Sequence, residues 1–392
     1  MAENIVIVGA KRTPIGSMQG KFNSVSASEL GAVAIKAAVE QAGVKPGEVD
    51  DVIFGCVLSA GQGQAPARQA AMKAGLANST PATTVNKMCG SAMKATMMAF
   101  DSLSSGNSTI VVAGGMESMT NAPHMLMKSR AGYRYGHQQM LDHMAFDGLE
   151  DAYSGKPMGH YADATAAKYG FSRADMDAYA KTSTERAVAA SKSGDFADEI
   201  AAVTVKGRAG EEVVKDDETP FNVKLDKIPT LRPAFNKDGT VTAATSSSIS
   251  DGAAALVMMT EAEAKKRGAN PLARILAHAS NAHEPEWFTT APVGAIEKVL
   301  KKAGWKASDV DLFEVNEAFA VVAMAAIKDI GIDPAKINVN GGAVALGHPI
   351  GATGARIITT LIYALKKRGL KKGVAALCIG GGEGTAIALE VM

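Results

Sequence analysis

The 392-residue chain sets 41 Lys and Arg against 40 Asp and Glu for a formal net charge of +1, a balance that speaks against an electrostatic nucleic-acid binder or a polybasic membrane segment. Its 47% hydrophobic content suits a globular enzyme of two or three domains, and its apolar runs fall far short of the roughly 18 residues that span a bilayer. Three cysteines, Cys56, Cys89 and Cys378, are too few and too scattered for a disulfide framework or a zinc site, so those that matter should act as thiols.

Ile5-Val6-Ile7-Val8-Gly9 reads as a first strand rather than a signal peptide, and Leu389-Glu390-Val391-Met392 matches no peroxisomal or retention signal; a cytoplasmic protein is expected. Residues 28–42 predict a helix closed by Gly43, 52–57 a strand and 66–73 a second helix. Residues 81–85 are short, β-branched and strand-like, after which Met93, Met97 and Phe100 recur at helical spacing until Gly106. Cys89 therefore sits where a strand turns into a helix. There a thiol faces unpaired backbone N–H groups and the positive end of the helix dipole, which favour the thiolate a nucleophile needs. A buried structural cysteine is the other reading open at this point. A strand over 109–113 follows and ends in Gly114-Gly115.

From Met119 to about Ile249 the texture changes: the chain is rich in Met, Tyr and His and poor in β-runs. One clear helix, 172–192, carries the capping-box spacing Ser172-x-x-Asp175 and a stop at Gly194. Such a long insertion commonly builds a cover over a site or an oligomer contact.

After Ser250-Asp251-Gly252 the βα rhythm returns with an internal repeat. Residues 34–55 align without gaps to 295–316, an offset of 295 − 34 = 261, with Ala34, Ile35, Ala42, Gly43, Lys45, Val49 and Asp50 recurring as Ala295, Ile296, Ala303, Gly304, Lys306, Val310 and Asp311. The same offset carries Cys89 to 89 + 261 = 350, two residues from His348, and the strand before Gly114-Gly115 corresponds, with a small slip, to 375–379 before Gly380-Gly381-Gly382. Halves packed about a pseudo-twofold would bring both corners to one pocket. His348 lies in NVNGGAVALGHPIGATGAR (338–356), where Pro349 pins the backbone and Gly351 and Gly354 permit close approach. Cys378 is open to two readings, a second reactive thiol beside backbone donors or a core cysteine before a tight turn. A dinucleotide site fits poorly, because Gly9-Ala10-Lys11-Arg12 breaks the G-x-G-x-x-G pattern, and the P-loop pattern is absent. A cysteine protease would not call for the second thiol or the duplication.

Arg12-Thr13-Pro14-Ile15-Gly16, Asn86-Lys87-Met88-Cys89-Gly90-Ser91, Gly114-Gly115-Met116-Glu117-Ser118, Asn316-Glu317-Ala318-Phe319, Asn340-Gly341-Gly342, Gly347-His348-Pro349-Ile350-Gly351 and Cys378-Ile379-Gly380-Gly381-Gly382 follow one another in order. Jointly they make the chain resemble the thiolase family over its entire length, in its biosynthetic, acetyl-transferring branch. The resemblance implies an α/β fold of duplicated βαβαβ halves, layered α/β/α/β/α. It divides the chain into a first half (1–118 with 250–270), a loop domain (119–249) for coenzyme A and oligomer contacts, and a second half (271–392).

It also implies a ping-pong Claisen condensation of two acetyl-CoA molecules to acetoacetyl-CoA and CoA. Cys89 is then the acyl acceptor, His348 its activating base and Cys378 the base on the second acetyl group. His348 with a water held by Asn316 would form one oxyanion site, and the N–H groups of Cys89 and Gly380 the other. Met158, the stretch from Leu231 to Phe235, Ala243 and Ser247 would line the pantetheine, and Phe319 would close the tunnel. Lys224, Lys227 and Arg208 are candidates for the phosphates. No cofactor is implied beyond coenzyme A as substrate and product, no metal, and a homotetramer built as a dimer of dimers. Ala92 replaces a common Gly, Pro157 a frequent His and Phe288 a frequent Met, and all three are expected at the acyl pocket. The rival readings are a 3-ketoacyl-CoA thiolase of broader chain length and a non-catalytic acyl-CoA-binding subunit.

Overall fold

The architecture follows from a central strand that pairs on both edges, as seen in a computed structural model describing residues 3–207 and 210–392. In chain order the strands are β1 (Ile5–Arg12), β2 (Gly16–Ser17), β3 (Asp51–Gly55), β4 (Ala82–Val85), β5 (Ile110–Ser118), the hairpins β6/β7 (His124–Leu126, Met140–Asp142) and β8/β9 (Val203–Gly207, Gly210–Val214), β10 (Ser250–Thr260), β11 (Ala273–Ala282), β12 (Leu312–Val315), β13 (Lys372–Ile379) and β14 (Glu383–Val391). The α-helices are α1 (Ala27–Gln41), α2 (Pro66–Lys73), α3 (Ser91–Ser104), α4 (Met158–Tyr169), α5 (Arg173–Ser193), α6 (Glu261–Arg267), α7 (Ala291–Ala303), α8 (Ala320–Ile330), α9 (Ala343–Leu346) and α10 (Thr353–Arg368).

The main sheet runs β4-β3-β5-β10-β1-β11-β14-β13-β12, with β2 added to β10. On one side β3, β4 and β5 are parallel and β10 antiparallel; on the other β12 and β13 are parallel and β14 antiparallel. Within the sheet the two sides join where Ile5, Val6 and Ile7 pair with Ile275, Arg274 and Ala273. This is the expected duplication, and its repeated residues do repeated work. Asp50 accepts the N–H groups of Thr109 and Ile110 at 2.7 and 2.9 Å; Asp311 accepts those of Lys371 and Lys372 at 3.0 and 2.8 Å. Each aspartate fixes the start of the strand that leads toward the site. Gly43 and Gly304 lie just past α1 and α7 in the left-handed region, φ +64° and +69°, which glycine adopts without a Cβ penalty.

Period-two alternation along β1 sends Val6 and Val8 into a core shared with α1 and α2, and Ile5 and Ile7 into a second core shared with α3 and α10. A third core packs α7 and α8 on the other half through Ile296, Val299 and Val322. Because α3 and α10 lie in a core lined by strands of both halves, the layers read α/β/α/β/α.

Two local expectations are corrected. β5 continues through Gly114-Gly115 to Ser118, where it pairs with β10 from Ala255 to Asp251, and a Cβ at either glycine would strike a carbonyl, that of Ala254 or Gly351. The insertion holds a second helix, α4, as well as α5 with its Ser172 cap and its stop at Gly194. It is fastened to β1 by the buried Arg12, which donates to both Asp217 oxygens (2.7 and 2.9 Å) and to Glu199 (2.6 Å).

Candidate active site

The turn from β4 into α3 is tied by side chains on either side of Cys89. Asn86 Oδ1 accepts the Met88 N–H (2.9 Å), while Ser91 Oγ accepts the Lys87 N–H (2.9 Å) and donates to the Met88 carbonyl (2.6 Å). Met88 is held at φ +48°, a left-handed conformation costing a residue with a side chain roughly 1–2 kcal/mol. The result presents Cys89 one residue before the N-cap Gly90. Its own N–H and that of Gly380 are directed at its sulfur and favour the thiolate, but burial is the larger effect and, with the negative charge of Glu117, pushes the thiol up to about 11. The expected thiolate is therefore not the resting form.

His348 is buried beside Cys89 on the same cavity wall, and its bonds define its tautomer. Thr353 spends its hydroxyl hydrogen on the Pro349 carbonyl (3.0 Å), so at 2.6 Å from His348 Nδ1 it accepts. Nδ1 then carries the proton and Nε2 is the free base, facing Asn316 Nδ2 at 3.4 Å. Burial, reinforced by the Arg356 charge, pushes the imidazole down to about 3. Glu117 fixes this loop against the other half: its carboxylate accepts Val57 N–H (3.0 Å), Leu58 N–H (3.1 Å) and, from the His348 loop, Gly351 N–H (2.9 Å). Lys87 beside the first thiol pairs with Glu383 beyond the second.

Cys378 is the next-to-last residue of β13 and has no exposed surface. Burial holds its thiol well above the usual range, and the neighbouring Cys89 adds to the effect. A cavity of about 520 Å³ is lined by Cys89, His348, Gly380, Met158, Phe235, Ala243, Ser247 and Phe319, whereas Cys378 and Asn316 are not on its wall. A Cβ at Gly380 would stand 3.7 Å from Met158 Cε, inside the cavity and clear of any clash. Ala234 also lines the cavity, whereas Leu231 does not; its carbonyl instead accepts from Arg173 at 3.0 Å. Lys224 is exposed, as is Lys227, which lies 3.6 Å from Asp226; Arg208 falls outside the described residues. Among the described residues no cluster of three or more His, Cys, Asp or Glu is placed to hold a metal ion.

Residues 5–262 match the family model described as thiolase, N-terminal domain, and 269–391 that described as thiolase, C-terminal domain. The chain belongs to the thiolase family. It is 50% identical over 388 residues to an acetyl-CoA acetyltransferase of Rhizobium meliloti (strain 1021), covering 99% of this chain and 98% of the relative. A probable acetyl-CoA acetyltransferase of Dictyostelium discoideum is 50% identical over 389 residues, covering 99% and 94%. The crystal structure of the Bacillus anthracis acetyl-CoA acetyltransferase superposes with a TM-score of 0.97 at 41% identity, covering 100% of this chain and 99% of that one.

Of the three departures noted in this thiolase, Pro157 and Phe288 line the cavity and Ala92 does not. Ala92 is fully buried, its methyl packed against the backbone of Gly115 behind the nucleophile. Sequence reasoning assigned no roles to Thr353, Arg356, Glu117 and Glu314. Thr353 and Arg356 stand in the same glycine-rich stretch as His348, one helical turn apart on α10, and that i, i+3 spacing was the available signal.

Proposed function

We propose that this thiolase is an acetyl-CoA C-acetyltransferase, condensing two acetyl-CoA molecules reversibly to acetoacetyl-CoA and CoA. The observation that carries the reading is one cavity lined by Cys89 from the first half and by His348 from the second, with Gly380, two residues past Cys378, also on its wall. Relatives bearing that activity in their names match the chain end to end, which supports acetyl-CoA and CoA as its ligands. In the first half-reaction Cys89 Sγ attacks the thioester carbonyl, His348 Nε2 takes the thiol proton and returns it to the departing CoA sulfur. In the second, Cys378 gives its thiol proton to His348 Nε2 and, as the thiolate, takes a proton from the α-carbon of another acetyl-CoA; the enolate attacks the acetyl-Cys89 carbonyl, and Cys89 leaves and recovers its proton from His348. Negative charge on the carbonyl oxygens is met by His348 with an Asn316-held water, and by the N–H groups of Cys89 and Gly380.

Met158, Phe235, Ala243, Ser247 and Phe319 are read as pantetheine contacts and Leu231 as an outer one, with residues 119–249 as the loop domain carrying them between halves 1–118 with 250–270 and 271–392. No cofactor beyond coenzyme A enters these steps. Among the described residues no helix is long and apolar enough to cross a membrane, and a cytoplasmic homotetramer is the proposed setting. Acetyl-CoA should add one acetyl group to Cys89 in intact-mass analysis, and thiolysis should favour the C4 over the C8 3-ketoacyl-CoA. An unlabelled Cys89 sinks the reading; equal use of C8 replaces it with the broader-chain thiolase. Light scattering should give four chains per particle.

A further inference from the structure

Asn316 follows β12, and its side-chain amide has two ends that only its neighbours can tell apart. Arg356 Nη2 lies 3.3 Å from one of them. A guanidinium has donors and no acceptor, so that end must be the oxygen. The NH₂ end is thereby turned to His348 Nε2, and the donor sequence becomes directional: Arg356 to Asn316, Asn316 to His348, His348 to Thr353, Thr353 to the Pro349 carbonyl. Its first donor, Arg356, and its last, Thr353, both stand on α10. Arg356 is itself held from β12, with Nη1 3.8 Å from Glu314 Oε2 and both side chains buried. Its Nε and Nη1 find no hydrogen-bond partner among the described residues, so the pair contributes little to stability for the charge it buries.

We propose that Arg356, held by Glu314, is a positioning residue for this reaction: it fixes the Asn316 amide so that its N–H, and not its oxygen, faces His348 Nε2 and the reacting thioester. The inference rests on the acetyl-transferring reading of the site. With the arginine gone the amide is free to flip, and its oxygen would oppose both the base lone pair and a developing oxyanion. The other titratable groups on the elements packed around the imidazole include Glu314 on β12, Glu317 after it, Glu117 on β5, Cys89 before α3 and Cys378 on β13; Arg356 is the charge that acts on it.

The test compares Arg356→Met, Arg356→Lys and the double variant Glu314→Gln/Arg356→Met, which removes the orphaned carboxylate if the single variant folds poorly. Loss of the fixed donor should lower kcat for acetoacetyl-CoA thiolysis by about 10- to 100-fold with KM within about threefold, in the single and the double variant alike. Arg356→Lys, which keeps a cationic donor, should recover most of kcat. Removing the cation should also move the acid limb of kcat/KM to higher pH, because His348 must be neutral to act as base. Wild-type kcat and acid limb in the double variant, or a loss confined to KM, would overturn the proposal. Titration of His348 by NMR of labelled imidazole, assigned against His348→Gln, separates the two layers of inference. A wild-type chain inactive on acetoacetyl-CoA refutes the functional reading. An unmoved His348 titration in the double variant refutes the role of Arg356.

Discussion

Cys89 and His348 share the cavity as a neutral thiol and a neutral imidazole, since burial pushes the first up to about 11 and the second down to about 3. Proton transfer between them is therefore coupled to acyl transfer rather than completed beforehand. Iodoacetamide should alkylate Cys89 about tenfold faster per pH unit from 7 to 9, following the small thiolate fraction. Mass spectrometry of the labelled peptide reads the rate, and a plateau below pH 8 would mean a preformed ion pair. Gly380 makes the complementary case, because its missing side chain leaves space that the protein itself does not fill. Gly380→Ala should melt close to wild type yet lose at least about tenfold in turnover, with a methyl standing where a thioester oxygen must reach two N–H groups. A variant with full activity would remove Gly380 from the oxyanion role.

At the scale of elements the site depends on how closely α10 can approach α3. Gly354 allows it: a Cβ there would collide with the Met93 backbone nitrogen. Gly354→Ala should cost roughly 1–3 kcal/mol, read as a lower Tm and midpoint in urea, with a parallel loss of activity as His348 moves from Cys89. Unchanged stability would show that the helices have slack. The elements legible from sequence were those with local signals. The Ser172 cap, the stops at Gly43 and Gly194 and the helix over 66–73 all needed only neighbouring residues. The strand extension through Gly114-Gly115 was not legible, because it rests on pairing with β10 and on the close carbonyls of Ala254 and Gly351, all more than a hundred residues away. Likewise the offset of 261 brought Cys89 to within two residues of His348 and the family motif supplied Cys378, whereas Glu117, Glu314 and Arg356 matter only through partners that the fold brings to them. The thiolate expected at the helix start failed for a related reason: dipole and N–H groups are local, but desolvation is a property of the assembled layers.

For the whole molecule the decisive junction is Glu117, whose carboxylate takes N–H groups from the loop after β3 in one half and from the His348 loop in the other. Burial outweighs those three bonds and raises its carboxyl from 4.5 to about 7. A carboxyl whose folded pKa is raised stabilises the fold fully below its unfolded value and loses that contribution as pH rises through the folded one. The window is therefore about pH 4.5 to 7, and the sign is a loss toward neutral pH. His348, depressed in the fold, acts oppositely below 6.5, so the absolute Tm profile mixes the two. Comparing wild type with Glu117→Gln cancels His348 and every other group the substitution leaves alone. The glutamine cannot ionise, and its NH₂ opposes at least one backbone donor, so it should be the less stable protein at pH 5. That deficit should then shrink by up to about 3 kcal/mol as pH rises to 8, where the wild-type carboxylate has become charged and buried. Melting curves at half-unit pH intervals measure it directly. A deficit constant from pH 5 to 8 would mean that Glu117 is ionised throughout, with three N–H groups enough to hold the charge between the halves.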